Sequence, residues 1–310
     1  MQHLVLAPCT RRKRVQVEPD LRASALEPAA IGRVAEAWVA RLRRSRFQVT
    51  AECLYAGRGL VEARRAASAI GAQLRIVSAG LGLVDGKQAV PAYSLTVGAN
   101  DSDSIASRVV GLFSPGLWWE ALHGALGSPG GVLASLLRTC DGLVILALPG
   151  TYLDLIADEL ASLPPSALAR MRLVGPPRGM VGPRLADVWM PYDARFESPA
   201  GPNPGTRSDF AQRAARHFAE VVVGAAPRGD ATTHAAMVER CLGPLLPPAP
   251  PRREVGTDAE LIEVIRELLP QSDARSGETL RLLRHQAGRA CEQGRFRRLF
   301  AAATKGALVQ

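Results

Sequence analysis

Two aspartates stand where chemistry could be done. Asp101 lies in the run Asn100-Asp101-Ser102-Asp103-Ser104, and Asp193 lies between Tyr192 and Arg195. A carboxylate at the mouth of a pocket can orient or deprotonate a water, so both are candidate catalytic residues. The Asn-Asp-Ser run also suits the plainer task of capping a following helix. A pocket for them to serve is suggested by residues 76–96, IVSAGLGLVDGKQAVPAYSLT. Gly80 and Gly82 permit close approach of a ligand. Tyr93 offers a ring for stacking, and Ser78, Ser94 and Thr96 offer hydroxyls. Ser78, Gly80, Gly82, Tyr93, Ser94 and Asn100, with Cys9 and Thr10 from the chain start, form the candidate pocket. Cys9 has no histidine beside it in the sequence and is read as lining rather than as a nucleophile.

Seven cations are candidate phosphate contacts. Arg12 and Lys13 follow the first strand-like run. Arg58 sits between two glycines with Arg64 one helical stretch on, and Arg178 follows Pro176-Pro177. Arg207 precedes a helix start, a natural anion seat, and Arg284 lies in the basic tail. The bland readings are a solvated basic loop after the first strand and an Arg207–Asp209 pair at the helix start. Net charge is +9 over 310 residues, with +7 in residues 1–70 and +5 in 271–310. Two basic ends on a mildly acidic middle suggest a polyanion partner, most simply nucleic acid. Only three basic residues are lysines, a bias that GC-rich coding alone can produce.

The motifs that are missing also narrow the choice. No G-x-x-x-x-G-K-S/T, no early G-x-G-x-x-G, no G-x-S-x-G and no H-E-x-x-H occurs. The five histidines are scattered. Chemistry is therefore expected to run on carboxylates, hydroxyls and arginines, with no metal and no cofactor. Five distant cysteines with no C-x-x-C pair and no export signal fit a reducing cytoplasm. No apolar run approaches the length of a membrane span.

These residues need a frame, and the pattern supplies an α/β one. Strands are expected at Leu4–Ala7, Leu74–Val77, Leu143–Leu148, Arg170–Val174 and Asp187–Met190. Helices are expected at Glu27–Arg44, Gly59–Ile70, Ile105–Phe113, Tyr152–Leu160 (capped by Thr151) and Ser208–Val223 (capped from Thr206 or Ser208). Buried strands alternating with helices predict a parallel sheet between two helical layers, with ligands beyond the strands' carboxyl ends. Five prolines in 242–257 mark a linker between a main domain, 1–241, and a basic helical module, 258–310. In that module helices are expected over Asp258–Leu269, Gly277–Gln293 (capped by Ser276) and Phe296–Ala303.

Cys9-Thr10-x-x-Lys13, then Leu54-Tyr55-x-Gly57-Arg58 with Ala63-Arg64, then Ser78-Ala79-x-x-Gly82-Leu83 and Pro91-x-Tyr93-x-Leu95 form an ordered set. This set resembles the YaaA-like family. Leu81 and Ala92 depart from the family pattern, which carries an aromatic before the second glycine and an unbroken Pro-Tyr pair. The resemblance implies a uracil-DNA-glycosylase-like fold, DNA binding, and kinship with bacterial glycosylases that act on modified bases in phage DNA.

The leading expectation is thus a monomeric, cytoplasmic, monofunctional DNA glycosylase. It would flip out and excise a modified pyrimidine, glucosylated ones included, with Asp101 before Asp193 as the catalytic carboxylate. Lys87 is the only lysine near the proposed pocket and none suits a Schiff base, so an abasic product without strand cleavage is expected. The alternatives are a non-catalytic DNA-binding stress or defence protein of that family and a small-molecule nucleoside hydrolase.

Overall fold

The computed structural model describes residues 1–99, 101–128, 131–249 and 252–307. The chain divides into two compact units, 1–248 and 249–310, so the break falls inside the proline-rich stretch.

The first unit is built on five strands: β1 (Leu4–Pro8), β2 (Gln73–Ser78), β3 (Gly82–Asp85), β4 (Val144–Ala147) and β5 (Met171–Val174). They lie in the order β3-β2-β1-β4-β5, parallel throughout except for β3. In β1, alternate side chains serve different cores. Leu4 and Leu6 join one apolar cluster and Val5 joins the other. A strand buried on both faces reads as an unbroken apolar run, which is why LVLA was legible as a strand.

Helices cover both faces. On one lie α1 (Ile31–Arg44) and α3 (Pro115–Leu126), which bury Trp38, Trp118 and Leu122 against Leu6, Ile76 and Leu146. Ser114 caps α3, its hydroxyl accepting from Leu117 N at 3.1 Å, and Gly127 ends it in the left-handed region. On the other face lie α2 (Arg58–Ala69), α5 (Phe210–His217) and α6 (Ala231–Leu242), whose Ala66, Ala214 and Val238 meet Ile145, Ala147 and Val174. Between the second cluster's helices, Phe218–Val223 continues α5 in wider π turns.

Several local expectations are corrected. The stretch after β2 turns at residues 79–81 and returns as β3. The Ser78 hydroxyl accepts from Leu81 N at 2.9 Å, and Trp38 and Trp118 each donate an indole N–H at 2.7 Å to the turn's carbonyls. Asp187–Met190 is no strand. Asp187 and Val188 close a 3-10 helix, Pro183–Val188, and Trp189 makes a single bridge to Leu173. Thr151 lies inside the short helix α4 (Gly150–Leu155) and does not cap it. Only Ile105–Arg108 of the expected 105–113 helix forms, as one 3-10 turn.

The second unit packs α7 (Asp258–Leu268), α8 (Ser276–His285) and α9 (Gln293–Ala307) around Leu261, Ile265, Leu283 and Phe296. Thr257 and Glu260 form a reciprocal cap on α7. The helix expected to reach Gln293 stops at His285. Gly288, at φ 63°, then turns the chain so that Arg289–Ala290 pairs in parallel with Glu254–Val255. Ser276 is not a cap but the first helical residue.

Candidate active site at the strand ends

The chain leaves β1 toward β2 on one side, while β4 lies on the other. A crevice therefore opens where their carboxyl ends diverge, the position at which open α/β sheets bind ligands. Two side chains mark it. Cys9, just past β1, and Tyr152, on α4 just past β4, meet with Sγ and OH 3.0 Å apart. A cleft of about 30 Å3 beside them is lined by Thr10, Arg11, Lys13, Ser94, Leu95, Thr96, Asp101 and Asp103. That is room for about two waters.

Each lining residue is fixed by its backbone. Cys9 N donates to Val77 O at 2.9 Å, prolonging the β1–β2 ladder. The Thr10 hydroxyl bonds the carbonyls of Arg12 and Ala56, and Arg14 N and Ala56 N tie the same loop to Leu54–Ala56. Gly57 at φ 126° then turns into α2, a conformation that disfavours a side chain. Ser94 bridges to Leu21 and Ala23 through its main chain.

Asp101 sits at the rim. One carboxylate oxygen accepts from Asp103 N at 2.9 Å, and the other pairs with Arg11 at 2.9 Å. The Arg11 side chain is 80% exposed and that of Asp101 only 11%. Asp103 lies deeper and is fully engaged. It accepts from Ser24 N and Oγ at 3.1 and 2.6 Å and from Ser94 Oγ at 2.6 Å, with Arg22 at 3.5 Å. Burial works against its charge, but the Ser24 and Ser94 bonds and the Arg22 guanidinium hold it below the usual carboxylate range.

Behind the cleft is a closed hydroxyl cluster. Tyr93 OH meets Ser78 Oγ at 2.6 Å and Tyr55 OH at 3.0 Å, all three residues being wholly buried. Burial raises the pKa of Tyr55, Tyr93 and Tyr152, so all stay protonated. Lys13 caps this cluster. Its Nζ lies 4.6 Å from the Tyr93 ring centre and 5.1 Å from that of Tyr55, and it donates to Thr10 O at 2.6 Å and Arg11 O at 3.3 Å. Burial lowers its pKa, with Cys9 opposing.

Cys9, Thr10, Lys13, Ser94 and Asp101 thus come together from the sequence-predicted set. Others do not. Ser78, Gly80, Gly82 and Tyr93 form core behind the cleft rather than its wall. A Cβ on Gly80 would come within 2.5 Å of the Tyr93 ring, and one on Gly82 within 2.5 Å of His123. The room expected for a ligand is filled by side chains. Asp193 is outside the cleft: it caps the turn Ala194–Glu197 and grips Arg195, which also holds Glu239. Burial opposes its charge and the Arg195 bonds prevail, lowering its pKa. Asn100 falls outside the described residues.

The cations also divide. Arg12, Arg178 and Arg207 are exposed on loops after β1, after β5 and before α5, with Arg178 over the Trp189 ring at 5.6 Å. Lys13 faces inward, as above, and is no phosphate contact. Arg58 is held by Glu62, Asp209 and the Pro204 carbonyl. Asp209 pairs with the buried Arg213 at 2.7 Å, not with Arg207. Arg64 lines a different groove, with Glu52, Asp85 and Lys87, at the amino end of β2. Arg284 donates to Cys291 O at 2.7 Å within the second unit.

Arg11, Tyr152 and Asp103 line the cleft but were not among the predicted site residues. Tyr152 stands four residues after the clearest strand end, so the strand-end rule could have found it. Asp103 was merged into a supposed capping run. Among the described residues, no three His, Cys, Asp or Glu side chains gather as a metal site would, and no helix is long and apolar enough to cross a membrane. Compared with known proteins, the chain matches no family model, no curated protein and no solved structure.

Proposed function

We propose that the first unit is a DNA glycosylase of uracil-DNA-glycosylase-like, three-layer architecture that works at this cleft. Its substrate would be a modified pyrimidine in phage DNA, glucosylated bases being the first candidates, and its product an abasic site. The observation that carries the reading is Asp101: a carboxylate oriented by Asp103 N at the rim of a hydroxyl-rich cleft, at the switch point of a parallel sheet. Asp101 would stabilise the oxocarbenium-like sugar or position water as the N-glycosidic bond breaks. Thr10, Ser94 and Tyr152 would hold the leaving base. Exposed Arg12, Arg178 and Arg207 at the carboxyl side of the sheet would take phosphates. The ordered resemblance to the YaaA-like family supports the same class. Entry of a flipped nucleotide requires the Arg11–Asp101 pair to part, since the cleft of about 30 Å3 is too small for a nucleobase.

That small volume favours one second reading, a non-catalytic DNA-binding protein of the same family. Base release from a panel of duplexes carrying modified pyrimidines separates the two. Release by the native chain, lost in Asp101→Asn with duplex binding retained, is expected. An Asp101→Asn variant with full activity overturns the assignment, and no release from any duplex leaves the binding reading.

A further inference from the structure

We propose, against the expectation that no lysine suits a Schiff base, that Lys13 is a carbonyl-capturing amine: its Nζ forms an imine with the open-chain aldehyde of an abasic deoxyribose delivered to the cleft. The substrate class rests on the glycosylase reading, but the amine's setting does not. Lys13 is the lysine that lines the cleft, and it stands there without a carboxylate partner among the described residues. The two carboxylates that share the cleft are engaged elsewhere: Asp101 by Arg11 at 2.9 Å, and Asp103 by Ser24, Ser94 and Arg22. The two bonds Lys13 makes go to main-chain oxygens, at 2.6 and 3.3 Å. A neutral amine satisfies both with its two N–H groups and keeps its lone pair for an electrophile. The tyrosine hydroxyls behind it are protonated and cannot hold it as an ion pair, and burial lowers its pKa in the same sense. Buried amines of this kind are the ones that make Schiff bases. The space beside it, about 30 Å3, fits a carbonyl group in place of two waters.

In the step itself, the lone pair attacks C1′ and the C–N bond forms. The amine's two protons pass to the carbonyl oxygen, the C–O bond breaks and one water leaves, giving the imine. No oxidant or reductant is needed.

The test uses the full chain and a duplex with an abasic site prepared beforehand, so no base release by this protein is required. Borohydride added to the mixture reduces any imine to a stable amine. A covalent protein–DNA adduct is expected, with peptide mapping placing it on Lys13. Lys13→Met should lose at least tenfold of the adduct, and Lys87→Ala should keep it. An adduct mapped elsewhere, or none with the native chain, overturns the proposal. Base release without trapping would sink this inference while leaving the glycosylase reading standing; trapping without base release would do the reverse.

Discussion

Tyr93 is where a ligand-facing role and a structural role make opposite demands, and Tyr93→Phe separates them. The substitution keeps the ring that fills the space over Gly80 and meets Trp38 edge-on at 6.0 Å. It removes the hydroxyl bonded to Ser78 at 2.6 Å and Tyr55 at 3.0 Å. Ser78 keeps its bond from Leu81 N, but Tyr55 is left with a 3.4 Å contact to Ser78. Two buried bonds lost, at about 1 kcal/mol net each, give a cost of about 2 kcal/mol. For a unit of this size that is roughly 4–8 °C in Tm. All four tryptophans, Trp38, Trp118, Trp119 and Trp189, lie in the first unit, so intrinsic fluorescence in a urea titration follows that unit alone. The expected result is a lower midpoint at an unchanged slope. A midpoint within error of the native chain's, together with a tenfold or greater fall in base release, would refute the buried-cluster argument and return Tyr93 to the pocket wall.

Gly82→Ala should be more damaging, by about 2 kcal/mol or more. It combines φ 73° with a Cβ 2.5 Å from the His123 ring, and the same fluorescence titration reads it. Asp103 has its pKa depressed in the folded state, so its contribution is complete above the unfolded value of about 4 and is lost as pH falls through the folded one. Asp103→Asn should therefore flatten the acid side of the stability–pH curve below about pH 4, and an unchanged acid limb would contradict the sign. If Arg12, Arg178 and Arg207 contact phosphates, each change to Ala should weaken duplex binding alike across sequences and lower the salt slope by about 1. Arg64→Ala, in the groove at the other end of the sheet, should leave that slope alone.

Much of the frame was legible because its signals are local. The apolar run of β1, the spacing of Val34, Trp38 and Leu42 on α1, and the proline stretch each declare themselves within a few residues. The site was most legible where one rule sufficed, namely that the residue after a parallel strand faces the crevice. Cys9, Thr10 and Lys13 obey it after β1; Ser94 and Asp101 were found by residue type instead. The glycine- and hydroxyl-rich segment after β2 misled because small residues and hydroxyls look alike in a pocket wall and in a tight core. What decides between them are Tyr55, Trp38 and His123, which arrive from elsewhere in the chain and fill the space. The same holds for the arginines. Arg58 and Arg284 were open cations in the sequence, but the fold supplied carboxylates and carbonyls for them.

The Arg11–Asp101 pair has a consequence for timing. Arg11 reaches into solvent, while the carboxylate it neutralises is nearly enclosed. An incoming phosphate competes for the same guanidinium and exchanges one anion partner for another. On the glycosylase reading, the anion that docks the duplex is also the one that uncovers Asp101, so the carboxylate carries its full negative charge toward the cleft only when a polyanion is in place. A small neutral nucleoside, lacking that anion, would leave the carboxylate masked.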